Sequence, residues 1–375
     1  MVGLGIIAPL MPLYASDLGA TGIWLGAIFS GFSLSRLIFM PIVGKRSDRK
    51  GRKRYIVTGL FSYSIISLLY ITANSVYYLV ILRFIHGFFS AMIIPIAMAY
   101  VGETTEDGRE GTAMGTFNIA LFLGMAFGPF LGGLLNDTLG INSVFYAMSG
   151  LTTIAFLVSI IFLPDVRNGE SKESHSQLSF KSIMRSDIMK GLILFRITGA
   201  MGRGGLMAFL PIIAANINLS SSQVGILISA NVFLTAILQR TFGRLADRYN
   251  KFVLIIIGSS IGGIALGLVP LAQNFTVMFL LGSVIGIGGA IGMPAATAIN
   301  VKVGKNAGMG ATMGLFNTAM SIGMIAAPMI SGIVMDIFGL QSVFYVSGSL
   351  ILLGTAVFCY FIRRGIKSQN DIYLN

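Results

Sequence analysis

The second half of this chain repeats the first half at a constant offset of 199 residues. The offset joins Gly44–Arg49 to Gly243–Arg248, Met114–Asn118 to Met313–Asn317, and Ser143–Tyr146 to Ser342–Tyr345. Separated matches at one unbroken offset indicate an internal duplication. In a chain that crosses a membrane, two parallel repeats predict two similar helical bundles that face each other, with a site between them.

The composition indicates that the chain does cross a membrane. Hydrophobic residues make up 55% of the sequence and charged residues only 11%, whereas a soluble domain carries about 25% charged residues. Apolar stretches recur that are apolar on all sides, as in membrane helices, and do not alternate as barrel strands do. They lie near 1–16, 23–43, 55–73, 76–101, 112–134, 142–163, 190–215, 222–242, 252–272, 275–300, 308–334 and 341–362.

We therefore predict an all-α membrane protein with twelve transmembrane helices in two pseudo-symmetric six-helix bundles. The first stretch is shorter than its repeat partner before Pro211, so we expect the first helix to be truncated. The N-terminal bundle is predicted at 1–164, a central loop at 165–189 and the C-terminal bundle at 190–375.

The basic residues predict the orientation in the membrane. Lys and Arg concentrate in every second connection, including 44–54 and the central loop, and the other connections contain none. Because basic residues stay on the cytoplasmic side, we expect both termini and the central loop in the cytoplasm, with the chain in the plasma (inner) membrane. The net charge of +12 is then a topology signal, and no nucleic-acid partner is expected.

The run Gly44–Arg54 reads Gly-x-x-x-Asp-Arg-x-Gly-Arg-Lys-Arg and resembles the signature loop of the major facilitator superfamily. The resemblance covers the whole chain and implies that family's fold. Two glycines allow a tight turn, Asp48 can face a helix N-terminus of the other half, and Arg52 can pair with Glu103. The predicted conformational latch consists of Gly44, Asp48, Gly51, Arg52 and Glu103, with a weaker second copy at Gly243 and Asp247. The other interpretation is a topology signal only.

A second motif narrows the resemblance. Its residues are Gly115, Gly124, Gly128, Pro129, Gly132 and Gly133. Their spacing resembles the antiporter motif of the drug:proton exchangers in this family. Glycines four apart let another helix approach closely, and a proline bends its helix, so we predict a close-packed seam between the two halves. The alternative is ordinary small-residue packing.

The proton carrier is harder to identify, because no Asp or Glu lies deep within a predicted span. Arg83 resembles the family's Arg-x3-Gly motif, in which the arginine is implicated in proton coupling. His86 follows one helical turn later and titrates near neutral pH. Asp17, near the outer end of the first span, is the rival carrier. A packed, satisfied histidine is the alternative for His86.

Other polar side chains within the spans are candidates for the substrate cavity. Arg203 can present its guanidinium to an anionic or carbonyl-rich substrate, or bond to backbone carbonyls. Arg36 and Arg196 lie nearer the cytoplasmic face, and we expect them to snorkel. Asn118, Asn231 and Asn317 lie on helices that line the cavity in this fold, where they can bind substrate or one another.

The sequence contains no ATPase loop, metal cluster or catalytic triad, so we expect neither a cofactor nor enzymatic activity. The predicted function is secondary transport by alternating access: proton-coupled efflux of a hydrophobic or amphiphilic small molecule. The alternative is a facilitator or symporter that imports an anionic or polar metabolite, which the buried arginines favour. The expected partners are substrate, protons and the lipid bilayer, and the expected functional state is a monomer.

Overall fold

The computed structural model describes residues 2–105, 110–164, 186–307 and 309–367. In chain order the helices are α1 Val2–Ile7, α2 Met11–Asp17, α3 Gly22–Lys50, α4 Arg52–Leu69, α5 Val76–Ala91, α6 Ile94–Thr104, α7 Glu110–Leu139, α8 Ile141–Phe162, α9 Asp187–Asn216, α10 Ser221–Arg248, α11 Lys251–Leu268, α12 Phe275–Ala307, α13 Met309–Phe338 and α14 Leu340–Lys367. Single 3-10 turns at Tyr70–Thr72 and Val269–Leu271 follow α4 and α11.

Eleven helical stretches of the described chain are long and apolar enough to cross a membrane. The first predicted span is not among them, because it consists of the short helices α1 and α2 with an interruption between. Pro9 lies in this interruption and Pro12 in the first turn of α2, and each proline lacks a backbone N–H donor. The count of twelve transmembrane helices therefore stays a prediction.

The offset seen in the sequence also relates the bounds of the helices. Helix α4 at 52–69 corresponds to α11 at 251–268, and α7 at 110–139 corresponds to α13 at 309–338. Gly140 and Gly339, which precede α8 and α14, have φ of 80° and 83°. The duplication thus extends from residue identity to the places where helices begin and end.

The contacts divide the chain into two compact units. The first unit is Met1–Lys172 with Ala214–Ser229, and the second unit is Glu173–Ile213 with Ala230–Asn375. The end of α9 and the start of α10 therefore belong to the first unit, which the division predicted at 164 and 190 did not anticipate. Residues 165–185 of the predicted central loop lie outside the described residues. Helix α9 begins at Asp187, within the range predicted for that loop. Ser186 Oγ accepts a hydrogen bond from the Met189 N–H at 3.3 Å, at the start of this helix.

Each unit is held together by close packing of its own helices. In the first unit, Tyr14 Oη of α2 donates to the carbonyl of Tyr70 at 2.8 Å, and the Tyr70 ring stacks on Phe145 at 5.4 Å. In the second unit, a Cβ added to Gly258 of α11 would lie 2.6 Å from the Gly288 carbonyl oxygen of α12. Such backbone proximity maximises van der Waals contact, which drives helix association in a membrane.

Large apolar side chains also cover much of the outer surface. Tyr77, Leu139 and Phe162 are 66%, 71% and 74% exposed. In water a surface this apolar is costly, and in a bilayer it is the surface that lipid chains cover.

Candidate functional site

The turn between α3 and α4 is made by a single glycine. Gly51 has φ 91° and ψ 134°, a conformation that favours glycine, and it separates Lys50 from Arg52. Gly44 lies inside α3, and a Cβ there would meet nothing within 4 Å. The expectation that two glycines form the turn is therefore wrong for Gly44, since α3 continues through Lys50 and only one residue needs positive φ.

Arg52 joins three segments of the first unit. Its Nε–H donates to Glu103 Oε1 at 3.1 Å, and its Nη1 lies 2.8 Å from Ser47 Oγ and 2.5 Å from Asp48 Oδ1. The Arg52 side chain is only 12% exposed, so water screens these charges less than at an open surface. The guanidinium thereby ties the end of α3 and the start of α4 to the end of α6.

The second copy of this loop differs at the turn glycine and at the acid that pairs with Arg52. Asn250 replaces the turn glycine, and its Oδ1 accepts a hydrogen bond from the Phe252 N–H at 2.9 Å, which caps α11. Lys302 stands at the position that corresponds to Glu103. Asp247 is exposed, and Gly243 lies in α10 with Pro294 as its nearest neighbour at 4.0 Å from an added Cβ. The second copy therefore has no acid at the position of Glu103, which pairs with Arg52 in the first copy.

The glycines of α7 contact the backbone of two other helices, α1 and α10. A Cβ on Gly128 would lie 2.6 Å from Gly5 Cα of α1, and a Cβ on Gly132 would meet the carbonyl oxygen of Ile6. Both glycines therefore pack on the first helix of the predicted N-terminal bundle, where the sequence interpretation had expected the other half. Gly124 joins the same contact through its carbonyl oxygen, 3.1 Å from a Cβ added at Gly5.

The three remaining residues of the motif have different surroundings. Gly133 faces the backbone of Ser221 at the start of α10, within the first unit. Gly115 has nothing within 4 Å of an added Cβ. Pro129, which lies inside α7, presents its carbonyl oxygen to Gly225 of α10. The motif thus makes one tight contact with α1 and a second with α10.

Asp137, at the end of α7, is a functional candidate that the sequence interpretation missed. Its Oδ1 accepts from the Ser221 N–H at 3.0 Å and its Oδ2 from the Ser222 N–H at 2.8 Å. Asn136 Nδ2 donates to Ser221 Oγ at 2.9 Å. A carboxylate at a helix N-terminus satisfies unpaired N–H donors and favours the helix dipole. The run of serines at 220–222, a typical helix start, and the match of Asp137 to Asp336 at the 199 offset were the available signals.

His86 lies in a buried polar cluster of the first unit. The ring is fully buried, its Nδ1 lies 2.9 Å from Tyr70 Oη, and the Tyr63 ring packs edge-on at 4.1 Å. No protein atom of the described chain hydrogen-bonds to His86 Nε2. Arg83, 5% exposed, places its guanidinium 4.8 Å from the Phe32 ring centre, a cation–π distance. Asp17 is exposed at the end of α2.

The three asparagines lie in different surroundings. Asn231 Nδ2 donates to the carbonyl of Gly282 in α12 at 2.7 Å, which ties α10 to α12. Asn118 of α7 and Asn317 of α13 are exposed.

A cavity within the second unit contains about 890 Å³ of empty space, including its open mouth. Its polar lining includes Arg196, Arg203, Asn231 and Thr235, and its apolar lining includes Met293 and Met320. Arg196 was expected to snorkel towards the cytoplasmic face. It instead places its guanidinium between the sulfurs of Met293 and Met320, at 2.9 and 2.8 Å.

Comparison with known proteins agrees with this architecture. The family model described as Major Facilitator Superfamily matches residues 1–199 and 192–372. The chain is 35% identical over 351 residues to an uncharacterized MFS-type transporter of Methanocaldococcus jannaschii, covering 92% of this chain and 90% of the relative. It is 26% identical to the multidrug resistance protein MdtG of Proteus mirabilis, covering 93% of this chain and 89% of the relative.

Solved structures share the fold at low identity. A bacterial homolog of the human lysosomal transporter Spinster superposes with a TM-score of 0.84 at 15% identity, covering 98% of this chain and 94% of that chain. The nucleoside transporter NupG gives a TM-score of 0.81 at 15% identity, covering 96% of each chain.

Proposed function

The chain belongs to the Major Facilitator Superfamily, and we propose that it exports a hydrophobic or amphiphilic small molecule in exchange for protons. It is a multi-pass membrane protein of a transporter family and not an enzyme. Export, proton coupling and the chemistry of the substrate are the proposed part. We further propose that it works as a monomer in the plasma membrane with both termini in the cytoplasm, which the distribution of Lys and Arg supports.

The observation that carries the proposal is the packing of the antiporter motif. Gly128 and Gly132 hold the backbone of α7 against that of α1, at a separation that any side chain would prevent. Because no side chains separate these two helices, little space remains between them through which protons or substrate could leak. Several relatives are named as multidrug resistance or efflux proteins, including MdtG and a PmrA homolog of Lactococcus lactis.

Two polar contacts support alternating access. The cluster of Arg52, Asp48 and Glu103 links α3, α4 and α6, and the contact of Asp137 with Ser222 links α7 and α10. Charge-assisted contacts of this kind stabilise the conformer in which they are formed relative to a conformer in which they are broken. We interpret them as latches that form in one conformer and break in another.

His86 is the proposed proton carrier, with Arg83 as its electrostatic neighbour. The imidazole bonds to Tyr70 through one nitrogen, while the other has no hydrogen-bond partner among the described residues. When the surroundings of this buried histidine open to water, the nitrogen without a partner can take up a proton. The positive charge of a nearby guanidinium then favours release of that proton.

Transport in inverted membrane vesicles tests the proposed function. Vesicles that contain the protein should accumulate the neutral amphiphile N-phenyl-1-naphthylamine when their interior is acidic, and lose it when the proton gradient is collapsed. Vesicles with the Gly128→Leu variant at equal abundance are the control. Equal dye content with and without the gradient, for a panel of neutral, cationic and anionic amphiphiles, is the result that sinks proton-coupled export.

Import of an anionic metabolite remains the second candidate, and one observation favours it. Among the residues that the structure describes, the cavity of the second unit is lined by two arginines and by neither Asp nor Glu. The same vesicles distinguish the two, since an importer driven by protons would move an anionic substrate in the opposite direction across the membrane.

A further inference from the structure

Two guanidinium groups reach the same cavity from one helix. Arg196 and Arg203 both belong to α9 and both line the cavity of the second unit. They are seven residues apart, which is about two turns of an α-helix, so they lie on one face about 10 Å apart along its axis.

Arg196 lacks a strong hydrogen-bond acceptor. Its two terminal nitrogens contact the sulfurs of Met293 and Met320, its guanidinium lies 4.7 Å from the Phe316 ring centre, and its buried Nε has no partner. A thioether is only a weak acceptor. Among the described residues, the N–H donors of this charged group therefore hydrogen-bond to no oxygen atom.

Arg203 reaches into the empty space of the same cavity. The residue is exposed although it lies near the middle of α9. Gly289 of α12 faces it: a Cβ added to Gly289 would lie 3.9 Å from Arg203 Nη2. The absence of a side chain at Gly289 leaves room beside the guanidinium.

The cost of these charges implies an occupant. Arg196 is half-buried and its Nε is fully enclosed, and a cation without a counter-ion is costly in an apolar surrounding, by about 3 kcal/mol or more at the centre of a membrane helix. The lining contains no carboxylate from the described part of the chain that could compensate either arginine. Apart from Asn231, Thr235 and Ser259, the remaining wall is apolar, and includes Leu206, Leu266 and Ile351. A guanidinium binds an anionic head with two parallel hydrogen bonds, and such a wall receives an apolar tail.

We propose that this cavity binds an amphiphile with a single acidic group, whose anionic head contacts Arg196 and Arg203. The proposal rests on the proposed export of amphiphiles and specifies the charge of the substrate. The methionine sulfurs around Arg196 are displaced when the anion binds, because an anionic oxygen is a far stronger acceptor.

A matched pair of dyes tests the proposal. 8-Anilino-1-naphthalenesulfonate and N-phenyl-1-naphthylamine share one ring system and differ by the sulfonate. We would titrate each into the full-length protein in nanodiscs of phosphatidylcholine, with empty nanodiscs subtracted. The wild type should bind the anionic dye at least tenfold more tightly than the neutral dye. Arg203→Gln and Arg196→Gln should each weaken anionic binding at least tenfold and leave neutral binding unchanged, and Arg203→Lys should keep part of the affinity.

Several outcomes would overturn the proposal. Equal affinity for the two dyes, or unchanged anionic binding in both Gln variants, shows that the arginines do not bind the anion. If Arg196→Gln does not fold, as judged by its melting temperature, Arg203→Gln alone decides. If phosphatidylglycerol in the nanodisc abolishes binding of the anionic dye to the wild type, the cavity is a lipid headgroup site and not a substrate site.

The result is separable from the outcome of the vesicle experiment. Arginine-dependent binding of the anionic dye without gradient-driven transport leaves the binding site intact and removes proton-coupled export. If the proton gradient drives transport of amphiphiles but the protein binds the anionic dye equally well without either arginine, proton-coupled export stands and the proposed binding site does not.

Discussion

The carboxylate of Asp137 at the end of α7 accepts a hydrogen bond from the backbone N–H of Ser222, 2.8 Å away in the first turn of α10. Its other oxygen takes the neighbouring N–H of Ser221 at 3.0 Å. The two helix ends are 85 residues apart in sequence, so this contact is tertiary and not a local cap. Like the Arg52 cluster, this contact joins the ends of helices through a charged side chain, here a carboxylate.

We predict that Asp137→Asn loosens this contact without unfolding the protein. The amide keeps one oxygen acceptor but loses the charge, at a cost of about 1 kcal/mol. A cysteine at Ser222, in a Cys359→Ser background, should therefore react at least severalfold faster with an impermeant maleimide when Asp137 is replaced by Asn. Thr138→Ala is the control, because Thr138 Oγ1 bonds only within its own helix, to Leu134. An equal labelling rate in the two variants would show that the carboxylate does not hold α10.

The Arg52 cluster predicts unequal effects in the two copies of the loop. Asp48→Asn removes one of the two carboxylates beside Arg52, whereas Asp247 lies in a copy where Lys302 replaces the acid of α6. We expect normal membrane insertion of both variants, severely reduced transport with Asp48→Asn, and a smaller loss with Asp247→Asn. Transport rates at matched abundance test this. Equal effects, or none, would mean that the loop acts in topology alone.

A double-mutant cycle measures the pair within this cluster. Arg52→Gln, Glu103→Gln and the double variant should give a coupling energy of about 1 kcal/mol in the free energy of unfolding. The contact is partly buried, with 12% and 26% of the two side chains exposed, so the coupling should persist in salt better than that of an open surface pair. A coupling energy near zero at both low and high salt would argue against an energetic role.

The sequence predicted the parts of this structure that local rules determine. The offset of 199 predicted where helices recur, and charge together with the loop motif predicted that Arg52 and Glu103 meet. It did not predict the partner of Gly128, because a glycine pattern shows that a helix approaches closely but not which helix. Asp137 was missed for a similar reason: its partners are backbone N–H groups, which carry no residue identity.

Two other errors have local causes. Gly44 was assigned to a turn, but a single positive φ at Gly51 suffices, and α3 absorbs the rest of the motif. Arg196 was expected to snorkel because of its position along α9, whereas its direction around the helix places it in the cavity. Depth in a membrane helix can be estimated from sequence, and the neighbours on its face come from tertiary packing.

The glycines of α7 allow a prediction with an internal control. Gly128→Ala places a Cβ 2.6 Å from Gly5 Cα, a backbone atom that cannot turn aside, whereas Gly115→Ala meets nothing within 4 Å. Overpacking of this kind costs about 1–3 kcal/mol. Gly128→Ala should lower the melting temperature and the transport rate, Gly128→Leu should lower both further, and Gly115→Ala should leave both unchanged. Wild-type rates with Leu at both Gly128 and Gly132 would show that the spacing is accidental.

The orientation is tested by thiol labelling in intact cells. In a Cys359→Ser background, cysteine at Thr138 or Gln273 should react with an impermeant reagent from outside, and cysteine at Ser171 should react only after the membrane is permeabilised. The reason is the absence of Lys and Arg from the connections that hold Thr138 and Gln273. The reverse pattern would invert the topology.

The last prediction concerns proton coupling through His86. The imidazole is fully buried, hydrogen-bonded to Tyr70 Oη at 2.9 Å through Nδ1, and without a partner at Nε2 in the described part of the chain. His86→Gln keeps a hydrogen-bonding side chain at this position and removes the titration. We therefore expect the variant to bind substrate and to equilibrate it across the membrane, yet fail to concentrate it when a proton gradient is imposed. Initial binding and steady-state accumulation in vesicles separate these two properties.

Tyr70→Phe and Asp17→Asn complete this test. Tyr70→Phe removes the hydroxyl that bonds Nδ1 but leaves the imidazole, so accumulation should persist with an altered dependence on pH. Asp17 is exposed at the end of α2, and its replacement by Asn should leave coupling intact. If Asp17→Asn abolishes accumulation while His86→Gln retains it, Asp17 and not His86 carries the proton. If both variants accumulate substrate as the wild type does, neither residue couples transport to protons, and the driving force is another ion or the substrate gradient itself.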